Sequence, residues 1–116
     1  MGLDNRHNQN YTMARGGWSA DYNDPASFLE YFASWSVNND TGWSDKVYDS
    51  YIKQARGITN PQERNQLYAK AEKKLIDQMV IIPLYYYVTD LLHKPNVKNV
   101  YVDYDSSIAF TRGYIE

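Results

Sequence analysis

The sequence predicts an α/β fold with three main helices and short strands, and three observations support this prediction. Asn60-Pro61-Gln62-Glu63 is typical of a helix start, because Asn caps the helix, Pro fits the first turn and Glu can bond back to the cap. A stripe of apolar residues at four-residue spacing then runs from Leu67 to Met79 and predicts a helix ending near residue 78. Val80–Val88 is rich in β-branched and aromatic residues and predicts a strand, in which Pro83 marks an edge or a bend.

Two shorter helices are predicted before this one. Asp24-Pro25 indicates the start of the first, since Asp is a favoured cap and Pro a favoured first helical residue. Ser44-Asp45 indicates the start of the second, and Gly57 is placed to end it. The remaining predicted segments are a turn-rich loop at 36–43, strands at 11–18 and about 97–102, and a polar tail.

The composition indicates one folded globular domain. The 116 residues are 43% hydrophobic and 22% charged, which is typical of chains that bury a core. A net charge of −2 with dispersed basic residues argues against nucleic-acid binding, which needs a concentrated basic face. The absence of cysteine excludes disulfides and thiolate metal sites, and no apolar run reaches the ~20 residues of a membrane span.

No arrangement of residues predicts catalysis, and we expect no enzymatic activity. His7 and His93 lie far apart in the sequence, and neither has a familiar catalytic spacing, so we expect two unrelated, exposed histidines. Residues 21–24 resemble the start of a calcium loop but lack its glycine and distal glutamate. Gly16-Gly17 lacks the lysine of a phosphate-binding loop. The sequence therefore predicts neither a metal ion nor another cofactor.

Residues 11–25 contain the densest cluster of binding chemistry in the chain. Gly16-Gly17 lets the main chain approach another backbone closely, and Asp21 is flanked by the aromatic residues Trp18 and Tyr22. A carboxylate beside aromatic rings suits a cation next to an extended main chain, such as the amino terminus of a peptide. The alternative is that these residues only connect a strand, a turn and a helix.

Arg6 and Arg15 are candidates for binding the opposite end of such a ligand. Guanidinium groups grip carboxylates at two points, so two arginines at one end and Asp21 at the other would suit a zwitterion. The alternative is that both arginines are solvated surface charges.

Residues 14–25, Ala-Arg-Gly-Gly-Trp-Ser-Ala-Asp-Tyr-Asn-Asp-Pro, resemble a motif of the oligopeptide-binding proteins of bacterial ABC importers, in the peptide and nickel solute-binding class. The resemblance continues in residues 63–72, in Ile82–Val88 and in Lys94-Pro95, and it covers essentially the whole chain. It implies the type II periplasmic-binding-protein fold, in which two α/β lobes close over a ligand. Because family members have several hundred residues, this chain is expected to be their C-terminal portion and part of one lobe.

The resemblance also implies an organisation, a location and partners. Residues 1–116 would form the C-terminal part of a solute-binding domain, with crossing strands and a tail at about 89–116. Met1-Gly2 would be an added start, which agrees with the lack of a signal-peptide pattern in the first residues. The full-length parent would be a periplasmic or extracellular lipoprotein anchored at the membrane. Its partners would be oligopeptides and ABC-importer permease subunits, while the isolated chain would tend to self-associate.

The resemblance implies a role for the main chain around the glycine pair. The backbone of Arg15–Ser19, including Gly17 and Ser19, would pair with the peptide as an added strand. Asp21 would bind the α-ammonium group of the peptide, next to this strand.

The resemblance also assigns side-chain contacts with the ligand. Trp18 and Tyr87 would line pockets for side chains of the peptide. Arg6 and Arg15 would receive its C-terminal carboxylate, each at a particular peptide length. Delivery of oligopeptides to an importer is therefore the function that the sequence favours.

Two alternatives remain open at this stage. The same scaffold could bind another solute, such as a sugar or a metal complex, and a sugar would not need the carboxylate of Asp21. The 12 tyrosines could instead belong to a stand-alone carbohydrate-binding or adhesion module. That alternative requires a self-contained β-sandwich, which the helix patterns contradict.

Overall fold

Residues 3–116 are described by a computed structural model, and this part of the chain contains four helices and four short strands. The helices are α1 (Leu3–His7), α2 (Ala26–Leu29), α3 (Lys46–Arg56) and α4 (Pro61–Asp77). A single 3-10 turn, Glu30–Phe32, continues α2. The strands are β1 (Val97–Lys98), β2 (Tyr101–Val102), β3 (Ile108–Ala109) and β4 (Tyr114–Ile115).

The two long helices begin where the sequence predicts. The Asp45 carboxylate caps α3 by accepting hydrogen bonds from the main-chain N–H groups of Val47 at 2.8 Å and Tyr48 at 2.9 Å. Asn60 caps α4 in the same way, accepting from Gln62 at 2.9 Å and Glu63 at 3.3 Å. These bonds satisfy amide groups that have no partner within the helix.

The core lies between α2, α3 and α4. Tyr48 and Ile52 of α3 are fully buried, and Ala71 and Leu75 of α4 pack against them. The Tyr48 hydroxyl donates a 2.6 Å hydrogen bond to the Leu29 carbonyl, so this buried polar group is satisfied. Burying each large apolar side chain contributes about 1.5–3 kcal/mol, which makes the α3–α4 pair the main source of stability here.

The predicted strands at 11–18 and 80–88 are wrong for the described chain. Both segments lie outside any strand, and their backbones have no ladder partner among the described residues. A strand requires hydrogen bonds from a neighbouring strand, which propensity alone cannot supply. Met79 also leaves the apolar stripe, because it adopts a positive φ of 53° and is largely exposed.

Three other predictions need correction. The first predicted helix is only α2 and its 3-10 turn, because Ala33 is extended with ψ at 148°. The predicted cap Asp24 accepts a 2.9 Å hydrogen bond from the Ala26 N–H, but the helix begins at Ala26, one residue later than predicted. The predicted 97–102 strand is two strands, interrupted at Asn99, where φ is +55°. Helix α1 was not predicted.

The four strands form two small antiparallel pairs near the end of the chain. In one, β1 pairs with β4, and Val97 lies opposite Ile115. In the other, β2 pairs with β3, and Tyr101 lies opposite Ala109. The tail that was predicted as polar therefore includes two strands.

Asp45 links α3 to the end of α4 and makes the stability of the fold dependent on pH. Burial alone would raise the pKa of Asp45, but hydrogen bonds from the Tyr48 N–H, Lys74, Gln78 and the Val47 N–H outweigh it and lower the pKa to about 2. Because the folded pKa is depressed, the stabilisation is present above the unfolded pKa of ~3.9 and is lost as the pH falls through about 2.

We expect Asp45→Asn to lower the free energy of unfolding at pH 7, and the difference from wild type to shrink as the pH falls from about 4 to 2. Urea unfolding at pH 7, 4 and 2 measures this change. Asp90→Asn, which changes an exposed residue outside the helices, is the matched control. A difference that stays constant over this pH range would contradict the assignment.

Candidate ligand-binding site

Two long segments of main chain are left unpaired. Among the described residues, neither 11–20 nor 81–93 makes a main-chain to main-chain hydrogen bond. Both segments are largely exposed, so their N–H and C=O groups are open to a ligand. Such groups are a template for an added strand.

Arg15 joins the two segments through their side chains. Its Nη2 donates to the Tyr85 hydroxyl at 3.1 Å and to the Tyr87 hydroxyl at 3.3 Å. The two tyrosine rings pack edge to face, with their centroids 5.2 Å apart. The hydrogen bond with Tyr85 raises the pKa of Arg15, while hydrogen bonds with Tyr87 and Arg15 lower the pKa of Tyr85. These partners are neutral phenols, so Arg15 keeps its full charge for a ligand.

Gly17 lies directly against Tyr87. A Cβ atom at position 17 would lie 3.2 Å from the Tyr87 hydroxyl oxygen and 3.3 Å from its Cε2. A larger residue would therefore require the tyrosine ring to shift. The contact brings together two of the candidate site residues, and the sequence did not predict it.

Ser27 at the start of α2 holds Trp18 and Asp21. The indole N–H of Trp18 donates to the Ser27 carbonyl at 2.8 Å, and the Asp21 N–H donates to the Ser27 hydroxyl at 2.7 Å. The Trp18 ring packs edge to face on Tyr31, with centroids 4.8 Å apart. These contacts fix both site residues from a buried serine.

The side chains of Asp21 and Ser19 face no partner within residues 3–116. Asp21 is exposed, and its carboxylate takes part in no ion pair or hydrogen bond in this part of the chain. Ser19 is likewise exposed, and its hydroxyl makes no hydrogen bond there. The main chain of Asp21 is anchored on Ser27, and its exposed carboxylate can pair with a cation.

Arg6 lies on α1 and approaches the glycine pair at Gly16. Its Nε donates to Asp40 Oδ2 at 2.8 Å, and its Nη1 would be 3.9 Å from a Cβ atom at Gly16. His7 Nδ1 lies 2.6 Å from Asp40 Oδ1, and its side chain is 57% exposed, as the sequence predicts. Burial acts to raise the pKa of Asp40, but hydrogen bonds from Arg6 and His7 outweigh it and lower the pKa.

Three residues of this region were missed by sequence reasoning: Ser27, Tyr85 and Asp40. Tyr85 had a usable signal, because residues two apart in an extended segment point to the same side, and Tyr87 was already a candidate. Ser27 and Asp40 act through contacts that no local pattern reveals.

The structure also limits other chemistry. Within residues 3–116, no group of three or more His, Cys, Asp or Glu side chains is placed to hold a metal ion. No helix of the described chain is long and apolar enough to cross a membrane.

Known proteins resemble this chain over most of its length. It is 42% identical over 93 residues to the periplasmic oligopeptide-binding protein OppA of Salmonella typhimurium, covering 80% of this chain and 17% of that protein. It is 34% identical over 115 residues to the oligopeptide-binding protein OppA of Bacillus subtilis, covering 98% of this chain and 21% of that protein. It is also 39% identical over 95 residues to a probable deoxycholate-binding periplasmic protein, YgiS, of Escherichia coli, covering 82% of this chain and 18% of that protein. No family model matches the chain.

A solved structure agrees with these relatives. The substrate-binding domain of an oligopeptide ABC transporter from Bacillus anthracis superposes with a TM-score of 0.79 at 33% identity, over 97% of this chain and 23% of that one. The chain therefore has the fold of a part of a periplasmic peptide-binding protein. This confirms the predicted α/β fragment, which is consistent with one lobe. The chain belongs to the oligopeptide-binding protein family.

The match covers only part of each relative. The chain spans about one fifth of the length of the curated relatives it matches, which agrees with the predicted C-terminal portion of an oligopeptide-binding protein.

Proposed function

We propose that this chain is a portion of an extracytoplasmic receptor that binds oligopeptides and delivers them to an ABC importer. The observation that carries the proposal is the unpaired main chain at 15–19, which begins at Arg15, passes Arg6 at Gly16 and is followed closely by Asp21. A peptide backbone added along this segment would form hydrogen bonds with the segment's N–H and C=O groups. These bonds would not depend on the side chains of the peptide. Such binding suits a receptor for peptides of varied sequence.

The charges around this segment fit the two ends of a peptide. Asp21 would bind the α-ammonium group, and Trp18, held beside it by Ser27, would form an apolar wall. Arg15 and Arg6 would receive the carboxylate at the other end. Tyr87, in contact with both Gly17 and Arg15, would border a pocket for a peptide side chain, and Ser19 would contribute its main chain.

The proposal extends to the context of the protein. Residues 1–116 would be the C-terminal part of a solute-binding domain, with about 89–116 as crossing strands and tail. The full-length parent would be a lipoprotein anchored outside the cytoplasmic membrane, and permease subunits would be its partners. The relatives that are named periplasmic support this location.

A second candidate is a receptor for a solute other than a peptide. The relative named as a probable deoxycholate-binding protein favours it, because deoxycholate has a carboxylate but no ammonium group. Such a ligand could use Arg15 but would have no use for Asp21. An adhesion module has no such support, because the α3–α4 core is not the β-sandwich that it requires.

We expect Arg6→Ala and Arg15→Ala in the full-length protein to change the preferred ligand length more than the affinity for long peptides. A carboxylate reaches a given arginine only when the peptide has one particular length. Titration calorimetry with di-, tri-, tetra- and pentapeptides measures the profile, and deoxycholate tests the second candidate. Arg112→Ala, at an exposed position, is the matched control.

An even loss of affinity at all four lengths would show that the arginines are structural. Tight binding of deoxycholate with no binding of any peptide would replace the first candidate with the second.

A further inference from the structure

Asp40 contacts three residues near the start of the chain, and no role for it was predicted from the sequence. Its side chain is 8% exposed, and its two oxygens contact Arg6 Nε at 2.8 Å and His7 Nδ1 at 2.6 Å. Its main-chain carbonyl accepts a 2.6 Å hydrogen bond from the Tyr11 hydroxyl. One loop residue thus fixes helix α1 and the segment that follows it.

The loop that carries Asp40 is itself held firmly. The Asn39 side-chain amide donates to the carbonyls of Phe32 at 3.1 Å and Trp43 at 3.0 Å, while its oxygen accepts from the Thr41 hydroxyl at 2.6 Å. A side chain that closes its own loop in this way limits the movement of the next residue.

Gly42 lets this loop lie against Gln9, which follows α1. Gly42 has a positive φ of 71°, and a Cβ atom there would lie 2.8 Å from the Gln9 side-chain oxygen, so only glycine fits without a shift. The position of Asp40 is therefore fixed, and Asp40 in turn holds the Arg6 guanidinium.

The contact with Asp40 leaves most of the Arg6 guanidinium available. An arginine has five N–H donors, and the bond to Asp40 uses the single one on Nε. Within residues 3–116, neither Nη1 nor Nη2 donates a hydrogen bond, and Nη1 faces Gly16 beside the unpaired main chain. The two Nη groups form the edge that binds a carboxylate end-on.

We propose that Asp40 is a positioning residue that aims the Nη edge of Arg6 at the carboxylate of the bound ligand. This inference rests on the proposed function and deepens it, because it explains how one of the two arginines is prepared for the ligand. Orientation before binding lowers the entropy that is lost when the carboxylate arrives. Arg15 is oriented differently, by the neutral hydroxyls of Tyr85 and Tyr87.

The test compares two substitutions at Asp40 in the full-length protein. Asp40→Ala removes the acceptor, and we expect about tenfold weaker binding of the peptide lengths that Arg6→Ala weakens, with other lengths changed less than about twofold. Asp40→Asn keeps an oxygen that can accept from Nε, and we expect it to restore most of the affinity. Asp77→Ala, in an exposed ion pair on α4, is the matched control.

Calorimetry over the series of peptide lengths separates positioning from a general structural effect, and thermal melting checks that each variant is folded. In the Arg6→Ala background, Asp40→Ala should change affinity by less than about twofold, because the group that it orients is gone.

An even loss at all lengths, no loss, or a failure of Asp40→Asn to restore affinity would overturn the positioning role while leaving peptide binding intact. A wild-type protein that binds no peptide at all would overturn both this inference and the proposed function.

Discussion

Replacing Asp21 by alanine in the full-length protein is expected to weaken the binding of a free peptide by roughly 2 kcal/mol or more, about 30-fold in affinity. The main chain that carries the Asp21 carboxylate is anchored, because the Asp21 N–H donates to the buried Ser27 hydroxyl at 2.7 Å. A charge-assisted hydrogen bond contributes ~1.5–3 kcal/mol, and its loss would leave the peptide ammonium group without a partner. Titration calorimetry with a free peptide and its N-acetylated form measures the effect.

The acetylated peptide provides the internal comparison. It has no ammonium group, so wild type should bind it weakly, and Asp21→Ala should change its affinity little. Asp77→Ala removes a carboxylate of an exposed pair with Lys73 and should leave both affinities unchanged. Equal affinity of the wild-type protein for the two peptides would refute the role of Asp21.

The long helices were predictable because their signals are local. Asp45 and Asn60 cap α3 and α4 through bonds to main-chain groups two or three residues away. Such bonds depend on neighbouring residues alone, so a sequence window contains all the information. The burial of Ala71 and Leu75 was predictable for the same reason, because the apolar stripe of α4 is visible in the local sequence.

The strands were less predictable, although β1 and β2 lie within the predicted segment 97–102. Tyr85 and its neighbours have high β-propensity, yet 80–88 has no partner strand among the described residues. Conversely, β1 and β4 are 16 residues apart or more, and they pair across a turn-rich stretch with little local signal. Strand formation depends on a distant partner. High β-propensity therefore shows that a segment can form a strand, but not that it does so.

In the candidate site, too, local features were predictable from the sequence and long-range contacts were not. The glycine pair, Trp18 and Asp21 could be selected from the sequence, because their chemistry is visible in one short segment. The contacts that hold the arginines could not: Arg6 and Asp40 are 34 residues apart, and Arg15 and Tyr85 are 70 apart. Residue types therefore predicted which groups could bind a ligand, and only the fold showed what orients them.

The 116-residue chain on its own is expected to self-associate and to bind peptides far more weakly than the full-length protein. Large apolar side chains follow α4 in an exposed row, and Tyr86 and Leu92 are 96% and 95% exposed. The same stretch has unpaired main chain, and exposed apolar edges of this kind promote dimers and aggregates. A ligand would also lack the second lobe, whose closure excludes water from the charge pairs.

Light scattering over a range of concentrations measures the association, and calorimetry measures the affinity. Leu84→Lys combined with Leu92→Lys should reduce the association, because charges on an exposed edge oppose pairing. Val37→Lys changes an equally exposed apolar residue in the 36–43 loop and should have little effect, since that loop is closed by its own hydrogen bonds. A stable monomer with micromolar affinity for peptides would show that the chain is a complete binding unit, and it would contradict the view that its cleft needs a second wall.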